Sequence, residues 1–295
     1  MPELPDVTVY VEALERHVGG RRLERIRTLN PFVLRSVDPP LEAVAGRTVV
    51  GLRRIGKRIV LDMGDGLFVV IHLMIAGRLV WKGPDAKSKK PAPNSIAAFE
   101  FANGILYFTE AGTKKRASIT LVRGEDALKA LDPGGIEPLT ASFEDFAAAL
   151  ARESHTLKRS LTDPHLFSGI GNAYSDEILH AAKLSPMKLT RSLTEDEARR
   201  LHKATRETLA KWTDLLRAEA GDGFPSKVTA FRPEMAVHGR YKLPCPVCGS
   251  PVQRIVYAEN ECNYCARCQT GGKLLADRSL SRLLKDDWPK SIDDL

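Results

Sequence analysis

All five cysteines of the chain fall between Cys245 and Cys268, and four of them form two matched knuckles, Cys245-x2-Cys248 and Cys265-x2-Cys268, sixteen residues apart. Two such pairs at this distance bring four thiolates into one tetrahedron, the geometry of a closed structural site for one Zn²⁺ ion. The segment is too short to build a core of its own, so metal and folding are coupled there and a small stapled hairpin is expected. Four unrelated thiols do not account for the matched pairs. Cys262 is left over and reads as a small packed side chain. Clustered cysteines in a chain with no secretion signal argue against disulfides and for a cytosolic protein. A ribbon of this kind alone fits a protein-binding adaptor as well as a nucleic-acid binder.

The remaining sequence is long enough for two or three domains at 295 residues. No apolar run approaches the ~20 residues of a membrane span, so no membrane partner is expected. The 44 basic against 37 acidic residues leave a net charge of +7, and the pI is near 9.2, which favours a polyanionic partner. At the N-terminus, Met1-Pro2-Glu3-Leu4-Pro5-Asp6 leads into Val7, Val11, Leu14 and Val18 at helical spacing, with Gly19-Gly20 as the stop. Pro5 suits a first helical turn.

Strand signals follow at 47–52, 58–63 and 67–73, rich in β-branched residues and bounded by glycines. Gly64-Asp65-Gly66 and Asn103-Gly104 read as hairpin turns, and 84–95, with three prolines and three lysines, as a surface loop. A breaker-rich stretch, 132–139, marks a boundary beyond which the pattern is helical. Ser142 to Asp145 and Thr194 to Glu197 have the form of capping boxes. The second opens a long helix with Leu201, Thr205, Thr208, Trp212 and Leu216 on one face, closing at Gly221.

Three further features carry chemistry. Removal of Met1, which a small second residue permits, would expose the secondary amine of Pro2, whose pKa of roughly 8 leaves part of it uncharged at neutral pH. Such an amine attacks a sugar aldehyde carbon to give an iminium, and Glu3 is a carboxylate placed to move protons at the same carbon. The positive end of the helix beside it disfavours protonation. Taken in isolation, Pro2 and Pro5 read better as an extended lead-in. Second, Gly169 and Gly171 permit a tight turn before a helix in the residues after Asn172, an arrangement that cradles phosphate, with the Asn172 side chain adding a donor, or merely packs. Third, the basic run Arg53-Arg54-Ile55-Gly56-Lys57-Arg58 lies between strand signals and fits either a solvated edge or a phosphate-contacting surface; Lys114-Lys115-Arg116 is a weaker case of the same kind.

Pro2-Glu3-Leu4-Pro5, the Gly56-Lys57 turn, Asp163 through Glu177 and the terminal four-cysteine finger stand in the order found in formamidopyrimidine-DNA glycosylases. The chain resembles that family over residues 1–270 or so. Leu4 makes the terminus similar to the formamidopyrimidine branch, where the endonuclease VIII branch has glycine. The resemblance implies a multi-domain α+β fold: an N-terminal β-sandwich with a leading helix (1–131), a helical helix–two-turn–helix domain (132–239), a C-terminal zinc finger (240–273) and an added tail (274–295). It implies a monomeric, cytoplasmic, nucleoid-associated base-excision DNA glycosylase with abasic-site lyase activity. Its partner is double-stranded DNA containing a damaged base or an abasic site, lying in the cleft between domains. Pro2, Glu3 and Lys57 are then the catalytic residues, and Lys158, Asn172 and Arg116 contact DNA.

The lesion-holding parts depart from the family. Its His-Leu-Gly-Met-Ser-Gly stretch is His72-Leu73-Met74-Ile75-Ala76-Gly77 here, and its Asp-Pro-Arg-Arg-Phe loop is Glu110-Ala111-Gly112-Thr113-Lys114-Lys115-Arg116, without the aromatic. The phosphate-clamping Arg of the finger is Asn260, and the loop after Gly221 is short. These changes predict weak excision of 8-oxoguanine. They keep two alternatives open: an endonuclease VIII-like preference for oxidised pyrimidines, and a damaged-DNA-binding protein with little glycosylase activity.

Overall fold

The computed structural model describes residues 1–85, 90–257, 260–277, 283 and 289–294. Two compact units result, Met1–Pro133 with Trp212–Thr229, and Gly134–Lys211 with Ala230–Leu295. The single domain expected over 132–239 is therefore interrupted, because 212–229 groups with the N-terminal unit.

In the first unit, helix α1 (Leu4–Val18) starts with Pro5 in its first turn and ends at Gly19, after which Gly20 adopts a left-handed φ of +68°. Val7, Tyr10, Leu14 and Val18 form its buried stripe. The strands are β1 (Leu23–Thr28), β2 (Gly51–Ile55), β3 (Arg58–Asp62), β4 (Leu67–His72), β5 (Gly77–Lys82), β6 (Ser95–Phe101), β7 (Gly104–Glu110) and β8 (Ser118–Arg123). They make two four-stranded sheets, ordered β1-β6-β7-β5 and β2-β3-β4-β8, with every pair antiparallel. One apolar core joins Ile59, Leu61, Val69 and Ile71 of the second sheet to Phe99, Leu106 and Phe108 of the first and to the α1 stripe. This is the expected sandwich with its leading helix.

Turn chemistry explains the hairpins. Gly64, Asp65 and Gly66 all have positive φ (75°, 51° and 66°), which glycine tolerates freely and Asp better than most residues. Two sequence expectations shift. Strand β2 begins at Gly51 rather than at Arg47, since Arg47 and Val49 give their carbonyls to Leu23 and Gly20 instead of to a ladder. The basic run is not wholly a connection, because Arg53 to Ile55 pair with Val60 to Arg58 and only Gly56-Lys57 turn.

The segment Trp212–Thr229 is held to α1 and β5 by specific contacts. Arg217 forms a two-pronged ion pair with Glu12 (2.9 and 2.7 Å), Phe224 packs its ring 5.7 Å from Tyr10, and Arg78 donates from Nε to the Val228 carbonyl at 2.6 Å. A five-residue helix, α2 (Glu125–Lys129), follows β8.

The second unit contains α3 (Phe143–Ala151), α4 (Leu157–Thr162), α5 (Asn172–Ala181) and α6 (Glu195–Ala220), the last passing into the first unit at Trp212. The second capping box forms in full, Thr194 and Glu197 exchanging backbone-to-side-chain bonds of 2.9 and 3.2 Å. At the first only the cap forms: Asp145 N donates to Ser142 Oγ, and that hydroxyl, not the Ser142 backbone N–H, donates to Asp145 Oδ2 at 2.8 Å. Leu201, Thr205, Thr208, Trp212 and Leu216 are all buried. The hairpin β9 (Gln253–Tyr257) and β10 (Asn260–Tyr264) leads into α7 (Ala266–Thr270). Part of the expected tail packs back on this finger. Ile292 N donates to the Gly272 carbonyl, and its side chain joins Ile255, Tyr264 and Leu274.

Candidate active site and metal centre

In the first unit the chemistry gathers at the start of α1. Pro2 and Glu3 are buried, Glu3 forms the N-cap, and its N–H donates to Asp6 Oδ2 at 2.9 Å. The Glu3 carboxylate in turn accepts the Asp6 N–H, so the helix opens on a reciprocal capping box with its positive end beside Pro2. The terminal amine, carried here by Met1 and passing to Pro2 when Met1 is removed, is held below its ordinary value of 8.0, first by burial. Glu3 and Asp6 pull the other way, and the cations Arg78 and Lys57 reinforce the depression. An amine in such surroundings is uncharged at neutral pH more often than a free one, as a nucleophile requires. Pro2, Glu3 and Lys57 are therefore brought together, and Arg78 joins them.

Lys57 stands in the β2–β3 turn because Gly56 takes a left-handed φ of +57° and Arg54 Nη1 clamps the Gly56 carbonyl at 2.6 Å. Sequence reasoning missed Arg78 and gave no role to His72. His72 ends β4 opposite Arg58 and Ser118, and its pKa is pushed down to about 4 by burial and then by the charges of Arg58 and Lys57. Below pH 6.5 the unfolded chain takes up a proton that folded His72 refuses. Stability from this group is therefore complete above pH 6.5 and lost as pH falls toward 4, by about 3 kcal/mol in all. His72→Gln is expected to remove that part of the acid limb in urea titrations. An unchanged difference between variant and wild type from pH 7 to 4 would contradict it.

The turn after His72 is tight. Met74 has a φ of +52°, the family's glycine position, and the side chain of Ile75 stands 59% exposed. In the β7–β8 connection the buried Glu110 carboxylate accepts the N–H groups of Arg116 (3.0 and 3.1 Å) and Ala117 (3.1 Å), and Lys115 bonds the Glu110 carbonyl. Lys114 and Arg116 are left exposed on a loop pinned at its base. Asn260 opens β10, and its side chain lies outside the described residues.

In the second unit, Gly169 takes a φ of +79° and Gly171 caps α5. Lys158 is buried and donates to the Asn172 carbonyl (2.7 Å) and Asp176 Oδ1 (2.6 Å), so one of its three N–H bonds remains for anything else. The Asn172 side chain donates to the Glu261 carbonyl at 2.8 Å. Asp176 also accepts from His238 Nδ1 (2.8 Å) and Asn263 N (3.2 Å), while Glu177 accepts the N–H groups of Ala236, Val237 and His238. The two cationic or amide groups at the turn are thus rigidly held. None of these long-range partners had a sequence signal.

The sulfur atoms of Cys245, Cys248, Cys265 and Cys268 all lie within 4.8 Å of one another, with Cys245 3.9 Å from Cys268 and Cys248 3.4 Å from Cys265. Four thiolates on one tetrahedral ion with bonds of about 2.3 Å stand about 3.8 Å apart, so the residues fit a metal ion. Cys262 is fully buried elsewhere in the finger, and burial pushes its thiol well above the ordinary value. Cys262→Ser is expected to leave metal content at one ion per chain by elemental analysis. Loss of metal in that variant would show the wrong four had been chosen.

A β-sandwich led by a helix at the chain terminus, carried in one chain with a helical turn motif and a four-cysteine finger, defines the class of multi-domain DNA glycosylases. Residues 1–114 match the formamidopyrimidine-DNA glycosylase N-terminal domain, and residues 135–215 the H2TH domain of the same enzymes. A formamidopyrimidine-DNA glycosylase of Desulforamulus reducens is 34% identical over 283 residues, 91% of this chain and 99% of its own. Among solved structures, MutM (Fpg) from Thermus thermophilus is 32% identical with a TM-score of 0.75, covering 91% of this chain and 98% of that one. A Lactococcus lactis Fpg complex with DNA containing an abasic site is 26% identical with a TM-score of 0.80, covering 91% and 99%. The chain belongs to the formamidopyrimidine-DNA glycosylase family. Among the described residues, no helix is long and apolar enough to cross a membrane.

Proposed function

We propose that this chain is a base-excision-repair DNA glycosylase with abasic-site lyase activity, acting on double-stranded DNA through the amine of Pro2. The observation that carries the reading is that Pro2 and Glu3 lie buried at the head of α1, where the chain terminus, carried here by Met1, loses solvation and feels the charges of Glu3, Arg78, Asp6 and Lys57. With the damaged nucleotide out of the stack, the Pro2 nitrogen bonds C1′ as the bond from C1′ to the base breaks and the base leaves with its electron pair. The Glu3 carboxylate takes the proton that the Pro2 nitrogen carries after the attack and delivers it to the ring oxygen; the nitrogen lone pair then breaks the bond from C1′ to that oxygen, the sugar opens, and an iminium remains. A base then takes a C2′ proton, the iminium accepts the electrons of that C–H bond to become an enamine, and the enamine expels the 3′ phosphate, which leaves with the electron pair of its bond to C3′. Lys57 and Arg78 hold the flanking phosphates by charge. The last N–H of Lys158, the Asn172 amide and the exposed Arg116 grip the backbone. One zinc ion in the four-cysteine site supplies structure and no chemistry. The net charge of +7 suits a cytoplasmic, nucleoid-associated protein.

The substrate follows from the parts that fill the void left by a flipped base. Exposed Ile75 is stiffer than Met, and the Glu110 loop offers Lys114 and Arg116 but no aromatic. Phe224 and Val228 of the stretch after Gly221 pack into the α1 core, leaving fewer backbone groups to read a purine. Cleavage of a preformed abasic site is therefore expected to outrun excision of 8-oxoguanine opposite cytosine by about tenfold or more. Single-turnover rates on otherwise identical duplexes test both claims. Comparable rates would mean the replaced residues are not limiting, and no abasic cleavage would favour a DNA-binding protein without catalysis.

A further inference from the structure

We infer that His180 is a positioning residue of the metal finger, its Nε2–H donating to the Cys245 thiolate and holding that ligand in place. Helix α5 carries Asn172, Asp176 and His180 at intervals of four, hence on one face. Each meets the finger. Asn172 Nδ2 reaches the Glu261 carbonyl at 2.8 Å, Asn263 N reaches Asp176 Oδ2 at 3.2 Å, and His180 Nε2 lies 3.3 Å from Cys245 Sγ. Just beyond the helix, the Leu184 carbonyl accepts from Gln269 Nε2 (2.9 Å), whose Oε1 accepts from Cys265 N (2.8 Å). Two of the four sulfur-bearing residues are thus fixed from α5 and the residues that follow it, one through its sulfur and one through its backbone.

The direction of the His180 bond follows from the chemistry of the site. A metal-bound thiolate carries no proton, so the ring nitrogen is the donor. Four thiolates on one divalent ion leave two excess negative charges, and a buried donor aimed at sulfur disperses part of that charge. It makes protonation, alkylation or departure of that ligand harder. His180 is 6% exposed and Cys245 2%, so water is a poor substitute for the donor. Because the opposite end of the same helix holds Asn172, a loosened Cys245 also loosens the frame of the turn proposed to meet phosphate.

This inference rests on the zinc reading above, and the test separates the two. Full-length zinc protein and its His180→Phe and His180→Gln variants are mixed with a chromophoric chelator, and the rate of zinc release is followed. Phe keeps an aromatic ring without a donor, whereas Gln keeps an N–H. Release from His180→Phe is expected to be 10–100-fold faster, the usual effect of losing such an outer partner, with His180→Gln within about threefold of wild type. Iodoacetamide should label Cys245 first in the Phe variant. Release from the Phe variant at the wild-type rate, or equal acceleration in both variants, would overturn the role. A wild-type chain without zinc would instead sink the metal assignment. Should the Phe variant not fold, wild-type protein loaded with ¹¹³Cd decides: scalar coupling between the His180 Hε2 proton and cadmium supports the bond, and its absence refutes it.

Discussion

A chain that keeps a residue ahead of Pro2 is expected to lose abasic-site cleavage by about three orders of magnitude or more, with DNA affinity changed by less than about threefold. While Met1 is attached, the Pro2 nitrogen is a tertiary amide whose lone pair is delocalised into the carbonyl, so it has nothing to give to C1′. A longer peptide ahead of Pro2 presents the same chemistry. The surfaces proposed to hold DNA, among them Lys158, Asn172 and Arg116, are unchanged by such an extension. The expected signature is therefore a collapse of the single-turnover rate at nearly constant Kd. A retained Met1 that cleaves at the rate of the processed protein would place the nucleophile elsewhere.

The second large effect is on stability. Asp176→Ala is expected to cost about 3–5 kcal/mol, read as a lower urea midpoint. The Asp176 side chain is fully buried and answers three donors: Lys158 at 2.6 Å, His238 Nδ1 at 2.8 Å and Asn263 N at 3.2 Å. Its removal strands a buried ammonium with one carbonyl partner and leaves an imidazole N–H and a backbone N–H without acceptors. Asp176→Asn keeps the shape and part of the bonding and is expected to lie between. A loss below about 1 kcal/mol for Asp176→Ala would show that water or Asn172 compensates.

The legible parts of the molecule are those whose cause is local. Pro5, the stripe Val7 to Val18 and Gly20 specify α1, the paired caps at Ser142 and Thr194 specify two helix starts, and the cysteine spacing specifies the finger. Strands β3, β4, β6 and β7 are the interior strands of their sheets, apolar enough to read directly. The three strands that went unread, β1, β5 and β8, are all edge strands. In β1, Glu24, Arg25 and Arg27 break the apolar pattern, and Arg25 and Arg27 both bond Glu100 on the neighbouring strand.

The candidate site divides in the same way. Pro2, Glu3 and Lys57 announce themselves by residue type and position. Arg78 and His72 matter only because the sandwich folds Lys57 and the N-terminus toward them. Asp176, His238 and Asn263 meet across 62 and 87 residues of chain, and His180 meets Cys245 across 65. No periodicity encodes such pairs. The void-filling side chains are a different case: their departures were visible in sequence, while the anchoring of Arg116 and Ala117 by Glu110 needed coordinates.

The role of Pro2 as nucleophile is decided by borohydride reduction of the processed protein on a duplex carrying one abasic site, followed by mass mapping of the adduct. One covalent protein–DNA species is expected, formed through the nitrogen of the peptide that begins with Pro2 and absent when Met1 is retained. An adduct on an internal lysine such as Lys57, or none from a chain with Pro2 exposed, would contradict it.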